Sequence, residues 1–599
     1  MMEKSLFDNL RVILIRYRRR FFKGFVLLLF ANLLLVLNPL VFRQAVNSLD
    51  PSVTPSGGFL SDALEWIMGS GDSVWPWACL LLLTASISAI FKYWMRMIFV
   101  TVSREVEVEV RAKLFRRIQS QSMAFFDRHG VGSLLSRLTN DISAYRDMLG
   151  PGIMYPLFFL TLVIPGLWAL FIISVPLAIL SLIPMLVIPL MNFAVRDRIY
   201  QMALRLQATL AAMSNMVQEH FSSIRVIKNY GIELAAWKRF KDLSFDLMKT
   251  HLHLSWLQGS LFPTFNFLTK VTTTCFILFS GVIILQAWID LTTGDFVSFM
   301  WIQSYIFFPV IMLGWLLPIY EKGRAAYHRL VEIYEEPIEV QDRPTSHFTI
   351  PPGANIIFRR LTFTYPTASH PSLVNINLEI EGGSFVGLTG PIGAGKSTVF
   401  HLLNREYEIP RGMILINNRD IHDYPLKAFH GQIVTVEQAP FLFSKSILEN
   451  VRFGRREATV KELELVSQYA DFHETVLEFP EQYETLIGER GVMLSGGQKQ
   501  RLAMARAFLV NRSILLLDDV FSAVDADTEN KIFRAIKENF RGKTILLVTH
   551  RISILEQMDR VIYLSGGSVL EDGTPDELMA ARGHFAALAE LQRQGNAHT

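Results

Sequence analysis

The sequence predicts two joined fold classes: an N-terminal all-α transmembrane domain of six helices, with long helical extensions into the cytoplasm, and a C-terminal α/β phosphate-loop nucleotide-binding domain. Three observations predict this. Half of the 599 residues are hydrophobic, and the mean hydropathy of +0.29 is too apolar for an ordinary soluble enzyme of this length. Long apolar runs fill the first 320 residues and are absent from the rest. Residues Gly390–Thr398 read GPIGAGKST, a G-x-x-x-x-G-K-[ST] phosphate-binding loop.

In chain order, Leu6–Tyr17 has the pattern of a short amphipathic helix lying on the membrane. Arg16, Arg18, Arg19, Arg20 and Lys23 then precede an apolar run from Phe25 to Phe42, too long for the core of a signal peptide. Further runs near 75–98, 151–174, 176–195, 260–288 and 296–318 each approach or exceed the ~20 residues that cross a bilayer. A tight turn around Ser174–Pro176 separates the third from the fourth. Segments 49–74, 173–176 and 288–296 contain no Lys or Arg, only Asp50, Asp62, Glu65, Asp72, Asp290 and Asp295. Segments 101–150 and 196–250 are rich in both cations. The positive-inside rule therefore places both termini and both long connections in the cytoplasm, with Trp75 and Trp77 at the outer interface. Those connections have helical patterns with few breakers, so spans 2 to 5 are expected to continue as rods. Lys92, Arg96, Lys270, Glu321 and Lys322 lie within or beside spans, where they either snorkel, pair between helices or line a polar cavity. Cys79 and Cys275 lie in apolar stretches and are expected to be packing residues, with no disulfide or metal site.

The boundary follows Tyr334, in a polar stretch with two prolines and then Pro351-Pro352-Gly353. The domains are thus expected at 1–335 (transmembrane), 336–353 (linker) and 354–599 (nucleotide-binding). Beyond the boundary, short β-branched runs alternate with helical ones, as in a parallel-sheet α/β domain. The apolar run Ser384–Leu388 should be the strand feeding the phosphate loop, and Val399–Leu403 part of the helix after it. Gly390, Gly393 and Gly395 let the backbone turn its N–H groups to the phosphates. Lys396 would reach the β- and γ-phosphates, while Ser397 and Thr398 complete the loop and the Ser397 hydroxyl takes Mg²⁺. Ile514–Leu517 should be a strand ending in Asp518, a second Mg²⁺-organising group, and Thr544–Val548 another, ending at Thr549-His550. Between them LSGGQ (Leu494–Gln498) places Ser495, Gly496, Gly497 and Gln498 at a helix start. That makes a second phosphate-facing surface, suited to a nucleotide held by another chain.

Together with Gln438 in VEQAPFLFS, Ser522-Ala523-Val524-Asp525 and His550, these motifs resemble an ATP-binding cassette (ABC) domain. Tyr365 in FTY stands where that family stacks adenine. Gly488-Glu489-Arg490-Gly491 resembles its loop toward the membrane domain. Phe125-Phe126-Asp127 with SRLTND (Ser136–Asp141), Ile224–Glu233 and LTTGDF (Leu291–Phe296) resemble the exporter-type membrane domain. The resemblance implies a half-transporter, a multi-pass protein of a bacterial inner membrane. Its expected ligands are ATP and Mg²⁺, and its partners a second half-transporter, the bilayer and an amphipathic substrate, with no nucleic acid. Two ATP molecules would be sandwiched between one chain's Walker motifs and the other's LSGGQ. Closure would push segments near Phe125–Gly130 and Tyr230–Ala236 and so switch the cavity from inward- to outward-facing. Within that plan Gln438 contacts the metal and the attacking water, and His550 the γ-phosphate.

One position departs from the family. After Asp518 stands Asp519, where a glutamate normally polarises the attacking water. The carboxylate is one methylene shorter, and misplacement by roughly an ångström can cost about 100-fold in rate. An intact LSGGQ beside a weakened catalytic base is what a heterodimer with one weak and one competent site needs, so a heterodimer is expected over a homodimer. A soluble regulatory ATPase is excluded by the spans. A metal-chelate importer on the exporter plan, or an ATP-gated channel, is the alternative.

Overall fold

The computed structural model describes residues 6–47, 75–285, 291–342, 348–351, 353–488 and 491–596. Asp50, Asp62, Glu65, Asp72, Asp290, Pro352, Glu489 and Arg490 lie outside the described residues. The chain forms two compact units, one of residues 1–117 and 135–335, the other of residues 118–134 and 336–599.

The first unit is helical. Leu6–Arg16 forms the expected N-terminal helix, and Arg16 and Arg20 pair with Glu109 and Glu105 at 2.9 and 2.7 Å. Long helices follow at Arg18–Asn47, Trp75–Gln119, Pro151–Ile173, Val175–Ser222, Glu233–Leu285 and Thr293–Glu335. Each covers an apolar run that the sequence singled out. Arg18–Asn47, Trp75–Gln119 and the run Val131–Ile173 are long and apolar enough to cross a membrane. The Trp75–Gln119 helix has 45 residues, which at a rise of about 1.5 Å each is more than twice the ~30 Å hydrocarbon core. Ser174 alone separates the third and fourth long helices, in extended conformation (φ −161°, ψ 117°).

The rod expectation fails for the third span. Its extension is broken into Val131–Ser136, a π-helical turn at Arg137–Asp141 and Ile142–Leu149, ending at Gly150. The wide turn falls on the SRLTND motif, and Asp141 accepts two hydrogen bonds from Arg329 at 2.9 and 2.6 Å. Trp77 departs as well: it is buried against Val41 and Ala45, while Trp75 is 79% exposed. Cys79 is exposed and Cys275 half-buried, both as free thiols. Where helices meet most closely the residues are small. A Cβ on Gly166 would lie 2.8 Å from Ile306. Phe276 stacks on Phe299 (centroids 4.5 Å apart, planes at 6°) in the apolar centre of the unit.

The second unit holds two sheets. One is antiparallel, in the order β2 (Leu373–Ile380), β1 (Ile356–Phe363), β4 (Ile414–Ile416), β5 (Arg419–Asp420). The other runs β10 (Ser568–Gly573), β9 (Arg560–Ser565), β3 (Phe385–Thr389), β8 (Thr544–Val548), β7 (Ile514–Asp518), β6 (Ile433–Val436). Every pairing from β9 to β6 is parallel. Strands β3, β7 and β8 are buried at every residue, which explains their unbroken apolar sequences. Register places Leu388 beside Val548 and Val548 beside Asp518. The carboxyl ends of three adjacent strands, where α/β sheets bind ligands, therefore lie level.

Candidate functional site

The phosphate loop leaves β3 and enters the helix Lys396–Leu403. Gly390 (φ 136°) and Gly395 (φ 94°) occupy backbone conformations that L side chains rarely adopt. Neighbours close both positions as well: a Cβ on Gly390 would lie 1.9 Å from the Leu564 carbonyl oxygen, and one on Gly395 2.7 Å from that of Ser372. Gly393 is open. The Lys396 ammonium folds onto its own loop, donating to the carbonyls of Gly390 (2.8 Å) and Pro391 (2.9 Å).

Asp518 ends β7. Burial raises its carboxyl above the usual range, and a hydrogen bond from Ser397 pulls it back down. Two of the three residues expected to hold Mg²⁺, Ser397 and Asp518, thus meet, one from each neighbouring element. They supply a hydroxyl and a carboxylate, the hard oxygen ligands that Mg²⁺ takes. Asp519 follows with φ 45°, a left-handed conformation that aspartate tolerates better than most residues. Its N–H donates to Val548 (3.0 Å) and its carboxylate accepts from Gln438 Nε2 at 3.2 Å. Burial raises the Asp519 carboxyl, with His550 opposing. Burial and Lys396 lower His550, and burial lowers Lys396 against the pull of Asp519 and Asp518. Lys396, Asp518, Asp519 and His550 are therefore near enough to bias one another's protonation, and Gln438 bonds directly into the cluster.

Tyr365 joins the site from beyond β1. It is half-buried, edge-on to Phe363 and Tyr407. Its hydroxyl donates to Thr398 Oγ1 at 3.1 Å and lies 3.1 Å from His401 Nδ1. Ser495 caps the helix Gly496–Val510: its Oγ accepts from Gln498 N (3.3 Å) and its N–H donates to Gln498 Oε1 (2.9 Å). A Cβ on Gly497 would lie 2.6 Å from Ala523 O, so LSGGQ packs on the Ser522–Asp525 loop. Among the described residues no hydrogen bond joins Ser495–Gln498 to Gly390–Thr398.

Several residues here escaped the sequence reading. Gln500 is buried and donates to Gln438 O (3.3 Å) and Ser522 Oγ (3.2 Å), and accepts from Ala523 N (3.3 Å). Arg551 pairs with the buried Glu529 and donates to the carbonyls of Phe521 (2.9 Å) and Val524 (2.6 Å). Burial pushes Glu529 up to about 7 despite Arg551. Gln592, in the helix His584–Asn596, donates to His550 O (2.5 Å) and accepts from Ile552 N (3.1 Å), clamping the backbone around His550. Proximity to His550 is a signal for Arg551. Nothing in the sequence points to Gln592, 42 residues away.

The second unit also includes residues 118–134. Phe125 is fully buried, Ala124 joins the cluster of β1 and β2, and Tyr407 Oη donates to Asp127 Oδ2 at 2.7 Å. Met123 N donates to Glu406 O (3.1 Å), Ser122 to Glu339 (2.8 Å), and Arg128 to Glu336 and Glu339 (3.0 Å each).

The profile described as "ABC transporter transmembrane region" matches residues 21–310, and that described as "ABC transporter" matches residues 373–522. The multidrug resistance-like ATP-binding protein MdlA of Buchnera aphidicola subsp. Schizaphis graminum is 31% identical over 98% of both chains. The chain is an ABC transporter. A second relative of this transporter, the probable multidrug resistance ABC transporter ATP-binding/permease protein YheI of Bacillus subtilis, is 30% identical over 96% of both chains. In fold it is similar to a bacterial Atm1-family ABC exporter solved with ATP bound (TM-score 0.76, 21% identity, 96% of this chain and 98% of that one). The transporter is accordingly an integral membrane protein with an ATP-hydrolysing domain.

Proposed function

We propose that the protein is one half of a dimeric exporter that moves amphipathic small molecules, lipids or peptides by alternating access, driven by ATP hydrolysis. Relatives named for multidrug resistance, and a flippase of Syntrophus aciditrophicus named for lipid A-core (29% identical), support that substrate range. Six spans and cytoplasmic termini follow from the apolar runs and the charge pattern, and residence in a bacterial inner membrane is supported by the bacterial relatives. The observation that supports the dimer is that, among the described residues, no hydrogen bond joins LSGGQ to the phosphate loop: Lys396, Asp518, Asp519, His550 and Gln438 form one site, while LSGGQ packs on the Ser522–Asp525 loop. A second chain's LSGGQ would complete the site. Tyr230 and Leu234, at the turn between two long helices, are 77% and 82% exposed, as a tip made to meet a partner would be.

We further infer that Asp519 makes this chain's own site the weaker one and that the partner supplies the competent Walker motifs. Asp519→Asn should then lower the ATPase of the assembled dimer less than threefold. Ser495→Ala, which damages the competent site from across the interface, should lower it about 100-fold or more. Equal, severe losses from both substitutions in one preparation would establish a homodimer with Asp519 as a working base.

A further inference from the structure

Within the first unit lies a cavity of about 300 Å³, between the helices Arg18–Asn47, Trp75–Gln119 and Thr293–Glu335. Leu35, Asn38, Ser88, Lys92, Trp301 and Tyr305 are among its walls. The polar groups around it are largely committed to the chain. Ser88 donates to Ala31 O at 2.8 Å, and Asn38 Oδ1 accepts from Thr84 at 2.6 Å. Several cations elsewhere in the unit have anions: Arg43 pairs with Asp295, and Arg104, Arg111 and Arg146 with Glu107. Lys92 differs. It is half-buried at the cavity wall, and among the described residues no carboxylate or hydrogen-bond acceptor meets its ammonium. The space is a half-open groove, since Leu82, Ala85 and Ala89 of its wall are exposed. A half-buried, uncompensated cation on an apolar groove within a membrane domain is costly, so its presence points to an anion that arrives from outside. Lys270, which the sequence favoured over Lys92 as a cavity-lining residue, is exposed and lines no part of this space.

The shape defines the rest of the ligand. Leu81 and Lys92 both line the cavity, and eleven residues of helix separate them by about 16 Å. Lys92 is 17 residues from the start of its helix at Trp75, about 26 Å deep and close to the far edge of a ~30 Å hydrocarbon core. A headgroup at Lys92 would thus sit at cytoplasmic-leaflet depth, with a chain running past Trp301 toward Leu35 and Leu81. A volume of 300 Å³ is at the lower limit for ligand sites and suits one chain rather than two. We propose that this cavity binds a single-chain amphiphile bearing one negative charge, with the acid on Lys92 and the chain against Leu35, Leu81 and Trp301. The assignment rests on the exporter reading and narrows its substrate class.

Trp301 allows a direct test in the full-length assembly, reconstituted in phosphatidylcholine nanodiscs. Dibromostearate and a dibrominated alkyl-trimethylammonium of equal chain length serve as quenchers, and Trp301→Phe isolates the signal of that indole. The acid should quench Trp301 at concentrations at least tenfold below those of the ammonium compound. Lys92→Gln should raise its half-quenching concentration about tenfold or more, and Lys92→Arg should restore it to within threefold. Equal quenching by both compounds would overturn the proposal. So would unchanged acid affinity in a Lys92→Gln protein that keeps its basal ATPase. Displacement of the acid by bilayer phosphatidylglycerol at equal mole fraction would overturn the single-chain assignment. Loss of charge selectivity with amphiphile-stimulated ATPase intact defeats this proposal alone. Absence of stimulation or transport with either amphiphile defeats the exporter reading beneath it.

Discussion

Replacing Tyr407 by Phe removes one oxygen atom and tests how the segment 118–134 is held. The Tyr407 ring packs against Phe363 and Tyr365, with centroids at 5.5 and 5.1 Å, and those contacts survive the substitution. What disappears is the 2.7 Å hydrogen bond to Asp127. Burial and the Asp127 carboxylate both push the phenol far above its usual range, so Tyr407 is a protonated donor at any working pH. A hydrogen bond to a charged acceptor contributes about 1.5–3 kcal/mol, hence roughly 10- to 150-fold in the equilibrium for local release. The Met123, Ser122 and Arg128 bonds remain, so the segment should fray rather than detach. Hydrogen–deuterium exchange of peptides spanning residues 122–129 reads this directly, because exchange through local opening tracks the opening equilibrium. Exchange should accelerate at least tenfold, substrate stimulation of ATPase should fall, and the KM for ATP should stay within twofold. Exchange unchanged to within twofold would show that Phe125 burial alone anchors the segment and that the Tyr407–Asp127 bond contributes nothing measurable.

Three further outcomes follow from the nucleotide-binding domain. Tyr365→Ala should weaken equilibrium binding of a labelled ATP analogue at this chain's own site about tenfold and leave kcat of the dimer nearly intact, since base stacking of roughly 1–3 kcal/mol is uniform binding; unchanged occupancy of this site would remove Tyr365 as the adenine platform. Gln592→Ala, which frees the backbone on both sides of His550 in this chain's own weaker site, should lower kcat of the assembled dimer less than threefold, as Asp519→Asn does, and a tenfold loss in steady-state kinetics would show that turnover runs through this site. Glu529 in the folded chain sits near 7, above its ordinary 4.5, so its protonated form favours the fold. That contribution is complete below about pH 4.5 and is lost as pH rises through 7; Glu529→Gln should flatten the pH dependence of thermal inactivation across that window, and an unchanged profile would refute the assignment.

The sequence alone determined the elements whose signals are local. The phosphate loop, the strands ending at Asp518 and Val548, the LSGGQ helix start and the Ser174 turn were all legible, because each depends on residue types within a few positions: glycines at positive φ, continuous apolar runs, a capping serine. The weakened position Asp519 was visible for the same reason, as one residue type at a fixed offset. Contacts between distant positions were not. That Ala124 packs with residues of β1 and β2 and Asp127 meets Tyr407, that Gln592 clamps His550, and that Gln500 ties Gln438 to Ser522 depend on which side chains the sheet and helices bring face to face. No local periodicity encodes those pairings. The same holds for the lysines of the spans: hydropathy marks Lys92 and Lys270 alike, because both interrupt an apolar run. Only the packing of three helices decided that Lys92 borders an apolar groove and Lys270 does not, and on an apolar, half-buried surface that difference decides whether a charge needs a ligand.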